Sequence, residues 1–293
     1  MINNLPMKRL AIAALILFSL LTLTALIAGS LLTAPYRREV GSIPSDLTGE
    51  TVQFPSESGS QIRGWFLPGR AGHGVIVIMH GVRACRLDMI DRARFLSAAG
   101  YSVLLFDFQA HGESPGRQIT FGYLESRDAR AAVDFARSRA PREKIGVIGV
   151  SMGGADVTLA DPPLTVDALV LEQVYPVLHD AIGDRISMRL GDWSRVLTPL
   201  LSWQLGPRLG IGAEKLRPID HVRNLPSAKL FVGGSADRHT TAAELETMFE
   251  AAAAPKELWI VPGAQHVDLS RFARPEYKNR VFGFFAQAFG SPQ

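Results

Sequence analysis

A serine set between two glycines, in Gly149-Val150-Ser151-Met152-Gly153, is the residue of this chain best placed to act as a nucleophile. It follows Lys144-Ile145-Gly146-Val147-Ile148, an apolar, β-branched run that reads as a buried strand, and it precedes a segment able to start a helix. A chain that turns sharply from strand into helix is strained at the turn, and small neighbours relieve the crowding. Gly149 and Gly153 supply that room and would lift the Ser151 hydroxyl above the sheet. The free N–H groups at the start of the helix would then face an oxyanion. The pentapeptide alone is common in loops; the strand in front of it is what gives it meaning.

Acyl transfer by a serine needs a base for the hydroxyl proton, a carboxylate to orient that base, and donors aimed at the developing oxyanion. Pro262-Gly263-Ala264-Gln265-His266 follows the last apolar run, which puts His266 on a loop at the carboxyl edge of a sheet, where open α/β folds bind ligands. Gly233-Gly234-Ser235-Ala236-Asp237 follows the run before it and puts Asp237 on the neighbouring loop. Glu172 also ends a strand, so it stands as the alternative acid. In a non-catalytic reading His266 would be a surface histidine paired with Asp268. His80, His111 and His239 lie near the same edge and are expected to be neutral imidazoles bonded to backbone, with no chemistry of their own. Glu113 and Arg117 read as solvated loop charges.

Strand and helix alternate along most of the chain. Residues 51–55 and 61–67 read as an edge hairpin, and strands follow at 74–79, 101–107, 144–149, 168–172, 229–232 and 257–261. Helical patterns fill 87–99, 123–139, 241–253 and 276–289. This order predicts an α/β fold with a mostly parallel sheet covered on both faces. Between Glu172 and Ala228 the alternation breaks. Five prolines and several short helical stretches there read as a helical cap insertion, about 175–226. Its middle, Ile186–Ile211, carries Trp193, Trp203 and many leucines, beside Arg185, Arg189, Arg195 and Arg208. Packing on the body as a roof over the pocket is the favoured reading; resting on a membrane interface is the other.

After Lys8 and Arg9 no charged residue occurs from Leu10 to Tyr36, enough at about 1.5 Å per residue to cross a hydrocarbon core of about 30 Å. The expectation is an N-terminal membrane anchor, 1–36, then a linker, 37–48, and a catalytic domain, 49–293. A cleaved signal peptide is the alternative, because Ala28 and Ser30 have small-x-small spacing, although such apolar regions usually span about 7–15 residues. Lys8 and Arg9 are balanced by Arg37 and Arg38, which leaves the orientation open.

With 293 residues, 47% hydrophobic and 20% charged, the chain can bury one large core. A net charge of +3 without clusters of basic and aromatic residues does not support a nucleic-acid partner. The single cysteine, Cys85, rules out an intrachain disulfide and reads as a small apolar filler. The seven histidines are scattered without H-x-x-x-H spacing, so neither a metal nor a cofactor is expected.

The order Ser151, Asp237, His266, with these strand contexts, resembles the α/β-hydrolase family from about Thr51 to Phe289, and least in the cap. Met79-His80-Gly81-Val82 is similar to the family's HG turn, and the resemblance implies an oxyanion hole made by the N–H groups of Val82 and Met152. Asp107-Phe108-Gln109-Ala110-His111-Gly112-Glu113-Ser114 is similar to its D-x-R-G-H-G-x-S segment, with Gln109 and Ala110 in place of Arg and Gly, a change expected to alter loop packing. The anchor and the early hairpin with Gly64-Trp65 look most similar to the single-pass membrane-anchored, thioesterase-like and serine aminopeptidase-like members. The resemblance implies a serine hydrolase acting on esters or thioesters, and the apolar cap suggests lipid-like acyl substrates. A peptidase or amidase of the same fold, and an inactive membrane-tethered binding protein, are the alternatives. Cap carboxylates Asp180, Asp184, Asp192 and Glu214 are outnumbered by basic residues, which favours esters over peptides with a free amino terminus. Oligomeric state is not legible.

Overall fold

The computed structural model describes residues 5–290. The long helix α1 (Leu5–Thr33) leads into a two-residue strand, β1 (Tyr36–Arg37), and then the hairpin β2 (Glu50–Pro55) and β3 (Gln61–Leu67). Strand and helix alternate from there: β4 (Val75–Met79), α2 (Ile90–Ala98), β5 (Ser102–Asp107), the short β6 (His111–Gly112), α3 (Glu125–Arg139), β7 (Ile145–Val150), α4 (Met152–Leu159) and β8 (Ala168–Glu172). The cap follows as α5 (Leu178–Leu190), α6 (Thr198–Trp203), α7 (Leu205–Leu209) and α8 (Pro218–His221), joined by 3₁₀ turns. The body closes with β9 (Ala228–Gly234), α9 (Ala242–Ala251), β10 (Lys256–Val261), α10 (Leu269–Phe272) and α11 (Arg274–Phe289).

Eight strands form one sheet in the order β10-β9-β8-β7-β4-β5-β3-β2. The hairpin strand β3 runs antiparallel to both β2 and β5, and every other neighbouring pair is parallel. Strand periodicity divides the core in two. Val75, Val77 and Met79 of β4 face one side, with Ala129, Ala132, Val133 and Ala136 of α3 and Ala155 and Val157 of α4. Ile76 and Ile78 face the other, with Ala93 and Leu96 of α2 and Tyr277, Val281 and Phe285 of α11. The order in which strands are added reverses at β4, since β5 lies on one side of it and β7 on the other, and the carboxyl ends of the strands around such a switch point form a crevice.

The expected 37–48 linker is not a free connection. β1 pairs in parallel with β6, Arg37 donates to the carbonyls of Ser114 and Gly116, and Val40 is buried in the core. Glu113, expected as a solvated charge, holds this segment by accepting from Val40 N and Gly41 N and by pairing with Arg86. Helix α1 is therefore a fixed extension of the body.

Candidate active site

Ser151 sits between β7 and α4 at φ 53°, a left-handed conformation that costs a non-glycine residue energy and that the surroundings must enforce. Two glycines make the turn possible. A Cβ on Gly149 would lie 2.7 Å from Gly154 Cα, and one on Gly153 would lie 2.6 Å from the Met79 carbonyl oxygen, so any side chain there collides with backbone. Ser151 N donates to Glu172 O at 2.7 Å, which ties the turn to the end of β8.

The HG turn lies against the nucleophile: a Cβ on Gly81 would stand 3.5 Å from Ser151 Cβ. His80 fixes that turn. Its Nδ1 bonds Gly81 O at 2.8 Å and its Nε2 accepts from Phe108 N at 3.1 Å, an arrangement for the neutral ring. Full burial, together with nearby His111 and Arg86, holds its pKa well below the usual value. His111 is bonded in the same way, to Gln109 O and Arg83 N. Among the described residues Val82 N and Met152 N have no backbone acceptor outside regular helices and strands, and Met152 opens α4, where the N–H groups have no partner within the helix. Met152 is the next residue after Ser151, and Val82 follows the glycine that lies against Ser151.

His266 and Asp237 come together on the loops after β10 and β9. His266 Nδ1 bonds Asp237 Oδ2 at 2.8 Å, and Asp237 Oδ1 accepts from the N–H groups of His239 and Thr240 at 2.8 and 3.1 Å. Burial works to raise the Asp237 pKa, but His266 and these N–H groups outweigh it, so the carboxyl titrates below its ordinary range. Ala236 N donates to Ala264 O at 2.9 Å, clamping the two loops together. The one side-chain hydrogen bond of His266 among the described residues goes to Asp237 and none reaches Ser151, a contact that often tightens only when substrate is bound.

Glu172, the alternative acid, is bonded to other partners and not to His266. Its carboxylate is buried against Arg92, with Nη2 at 2.7 Å and Nε at 3.2 Å, and it accepts from the Tyr277 hydroxyl. Asp268 does not pair with His266 either. It caps α10 by accepting from Ser270 N, and it lies 2.8 Å from Arg92 Nη1. One side of the β8 end therefore holds a structural ion pair, while the other faces the candidate site.

Gln173, which sequence reasoning passed over, connects the parts. At φ 52° it is strained as Ser151 is, and its Nε2 donates to Asp237 Oδ2 at 3.0 Å and to Gln265 O at 2.9 Å. Ser151 N holds the carbonyl of Glu172, and the next side chain holds both the acid and the residue before His266. A glutamine after a strand carries no signal of this in sequence. His239 was likewise assigned no chemistry. Its ring centroid is 4.9 Å from that of His266, and burial followed by the neighbouring His266 depresses its pKa. Ligand atoms of Asp237, His239 and His266 lie within 4.8 Å of one another, a grouping able to hold a metal ion, yet the facing atoms of Asp237 and His266 are already bonded to each other.

Gln109 and Ala110, which stand where the similar segment has Arg and Gly, are both held within the loop. Ala110 adopts φ 59°, where glycine would be unstrained, and Gln109 Nε2 donates to Glu125 and to Gln118 O. Arg86, stacked 4.7 Å over the Trp65 ring, supplies the guanidinium that pairs with Asp107. Cys85 is buried with its thiol pushed up to about 11, chiefly by burial, as an inert filler would be. A cavity of about 610 Å³ lies in the cap and is lined by residues such as His179, Trp203 and Arg217, not by Ser151 or His266.

A mostly parallel eight-stranded sheet, a serine at a strained strand-to-helix turn and an insertion after β8 define the α/β-hydrolase fold, and the chain has that fold. Residues 70–202 match the family described as serine aminopeptidase, S33. The uncharacterised protein YqkD of Bacillus subtilis is 26% identical over 246 residues, 79% of this chain and 77% of that protein. The Arabidopsis thaliana α/β hydrolase domain-containing protein WAV2 is 25% identical, covering 76% of this chain and 74% of that one. In structure, the chain is similar to the Pyrococcus furiosus esterase Pf2001, with a TM-score of 0.73 at 23% identity over 88% of this chain and 99% of the esterase. It is also similar to acetyl xylan esterase 1 from Thermoanaerobacterium, with a TM-score of 0.65 at 14% identity over 86% of this chain and 87% of that one.

Proposed function

We propose that this hydrolase cleaves carboxylic esters or thioesters through an acyl-enzyme, with Ser151 as nucleophile, His266 as general base and then acid, and Asp237 as the orienting carboxylate. The observation that carries this reading is the His266–Asp237 hydrogen bond of 2.8 Å on adjoining loops, tied through Gln173 to the Ser151 turn. Ser151 attacks the carbonyl carbon, and His266 Nε2 takes the hydroxyl proton and passes it to the leaving alcohol or thiol. Water then adds to the acyl-enzyme by the same proton path in reverse. Asp237 keeps Nδ1 protonated, so Nε2 stays free to act as base. The N–H groups of Val82 and Met152 stabilise the oxyanion.

The esterase neighbours support ester chemistry, and the apolar cap fits an acyl chain. Peptide-bond cleavage is the second reading, favoured by the serine aminopeptidase match. Helix α1 contains a 27-residue candidate span, Met7–Thr33, whose 18-residue window has a mean hydropathy of 2.7, long enough to cross a bilayer, and it acts in this reading as an uncleaved single-pass anchor.

Labelling with a fluorophosphonate probe tests the nucleophile. Wild-type protein is expected to label, and Ser151→Ala and His266→Ala to lose the label while remaining folded. p-Nitrophenyl esters of graded chain length, run beside aminoacyl p-nitroanilides, then separate ester from peptide chemistry. Equal labelling of Ser151→Ala would remove the assignment.

A further inference from the structure

We infer that the cap is a membrane-inserting surface: Leu190, Trp193, Val196 and Trp203 enter the bilayer interface beside α1, so that the hydrolase lies on the membrane rather than hanging from it. The inference rests on reading α1 as an anchor and concerns how the domain sits against lipid.

The first observation is where the apolar surface lies. Outside α1, six large apolar side chains are exposed among the described residues, and four of them fall between Leu190 and Trp203. Their exposures are 53% for Leu190, 66% for Trp193, 75% for Val196 and 67% for Trp203. Two tryptophans with two aliphatic residues are the composition of an interfacial patch, because an indole has an apolar body and a polar edge. The cap does pack on the body through Leu178, Ala181, Leu205 and Leu209, but this outer surface takes no part in that packing.

The second is where α1 meets the cap. Helix α6, which carries Trp203, packs against α1, and α5 with the turn after it packs on α6. Small residues allow the approach: Ala25, Gly29 and Thr33, spaced by four, are the buried positions of α1 among the described residues, and a Cβ on Gly29 would strike the Gln204 side chain at 2.1 Å. Arg208 binds Leu26 O at 2.5 Å and Ser30 Oγ at 2.8 Å, and Arg83 binds Leu31 O at 3.1 Å.

Length then fixes the depth. A hydrocarbon core of about 30 Å takes about 20 helical residues. Counted from Leu10, the first residue beyond Lys8 and Arg9, that span ends near Gly29. The cap already touches α1 at Leu26 and Gly29, so its α1-facing edge stands at the level where hydrocarbon gives way to headgroups. The ordered 36–48 segment prevents the domain from swinging away.

The four tryptophans supply the test. Trp65 and Trp259 are buried, at 0% and 5% exposure, and the other two lie on the proposed surface. Full-length protein in phosphatidylcholine vesicles containing lipids brominated on the acyl chain is expected to lose the emission of two of its four tryptophans. Trp193→Phe with Trp203→Phe should abolish that loss and leave p-nitrophenyl ester turnover in detergent unchanged. Protein that resists carbonate extraction, yet whose exposed tryptophans are quenched by aqueous acrylamide and not by bromolipid, would overturn the inference while leaving the anchor reading intact. Release by carbonate would overturn both. Bromolipid-insensitive tryptophans shielded from acrylamide only at high protein concentration would assign the surface to a second copy of the chain instead.

Discussion

Exchanging Asp237 for Asn and, separately, Glu172 for Gln should give opposite phenotypes, because the two carboxylates hold different partners. Asp237 accepts four hydrogen bonds: His266 Nδ1 and Gln173 Nε2 on one oxygen, and the N–H groups of His239 and Thr240 on the other. An asparagine has a single oxygen, and the two backbone donors are fixed, so the oxygen stays with them. The amide NH₂ is then aimed at His266 Nδ1 and Gln173 Nε2, and donor faces donor. His266 escapes by moving its proton to Nε2, the atom that must act as base. A wrong tautomer of this kind costs on the order of 10⁴ in kcat, or about 5 kcal/mol, in serine hydrolases that use such a triad. Stability should change little, since the two backbone bonds remain. Glu172→Gln leaves the site alone but strips a fully buried arginine of its main counter-ion, which costs about 3–5 kcal/mol in buried pairs. Asp268, 2.8 Å from Arg92 Nη1, places the loss near the lower end, a fall in Tm on the order of 10 °C. Ester turnover and thermal unfolding measured on the same preparations decide it. Loss of activity in Glu172→Gln with activity kept in Asp237→Asn would refute the reasoning.

Two further outcomes concern the frame of the site. Asp128 is buried beneath the Gln109 loop, where burial raises its pKa to about 7 despite hydrogen bonds from Ser56 and Gln109 N. A folded-state pKa above the unfolded value means that the native state keeps a proton the unfolded chain has lost. Stability therefore falls as pH rises from about 4 to about 7, by up to about 4 kcal/mol. In Asp128→Asn the amide oxygen accepts from Gln109 N and the NH₂ donates to Ser56 Oγ, so the variant should raise Tm at pH 8 but not at pH 4; an equal shift at both would show that Asp128 does not titrate in this window. Gly153→Ala would force a methyl to within 2.6 Å of the Met79 carbonyl, so it should abolish probe labelling and lower Tm, and a stable, fully active variant would contradict the elbow geometry.

The residues that carry the proposed chemistry were legible because each is bound to a local pattern. Ser151 follows an apolar strand and is flanked by glycines, and Asp237 and His266 each follow a strand end by a few residues. What the sequence could not separate were two carboxylates at neighbouring strand ends. That choice depends on what lies behind each loop, and Arg92 and Tyr277, which claim Glu172, are separated from it by 80 and 105 positions in the chain. Gln173 was missed for a related reason. Its role comes from a backbone twist at φ 52° that turns an amide towards two other loops, and residue type does not report such a twist. The 37–48 segment looked like a linker because its bonds run to Glu113 and Ser114, which offer no local pattern to read.

The same non-local bonds change what the N-terminal helix means for the enzyme. A tether on a flexible linker would leave the domain free to tumble, and the cap would meet a bilayer only by collision. Here β1–β6 pairing, Arg37, Arg83 and Arg208 fix α1 against the body, so once the helix spans a membrane the orientation of the crevice follows from it. Cutting one of these ties leaves the anchor in place but loosens the orientation. Arg208→Ala removes both bonds to α1 and should leave turnover of soluble short-chain esters unchanged while reducing bromolipid quenching of Trp193 and Trp203. Quenching that persists undiminished would show that the cap holds to lipid by its own apolar surface, independently of the helix beside it.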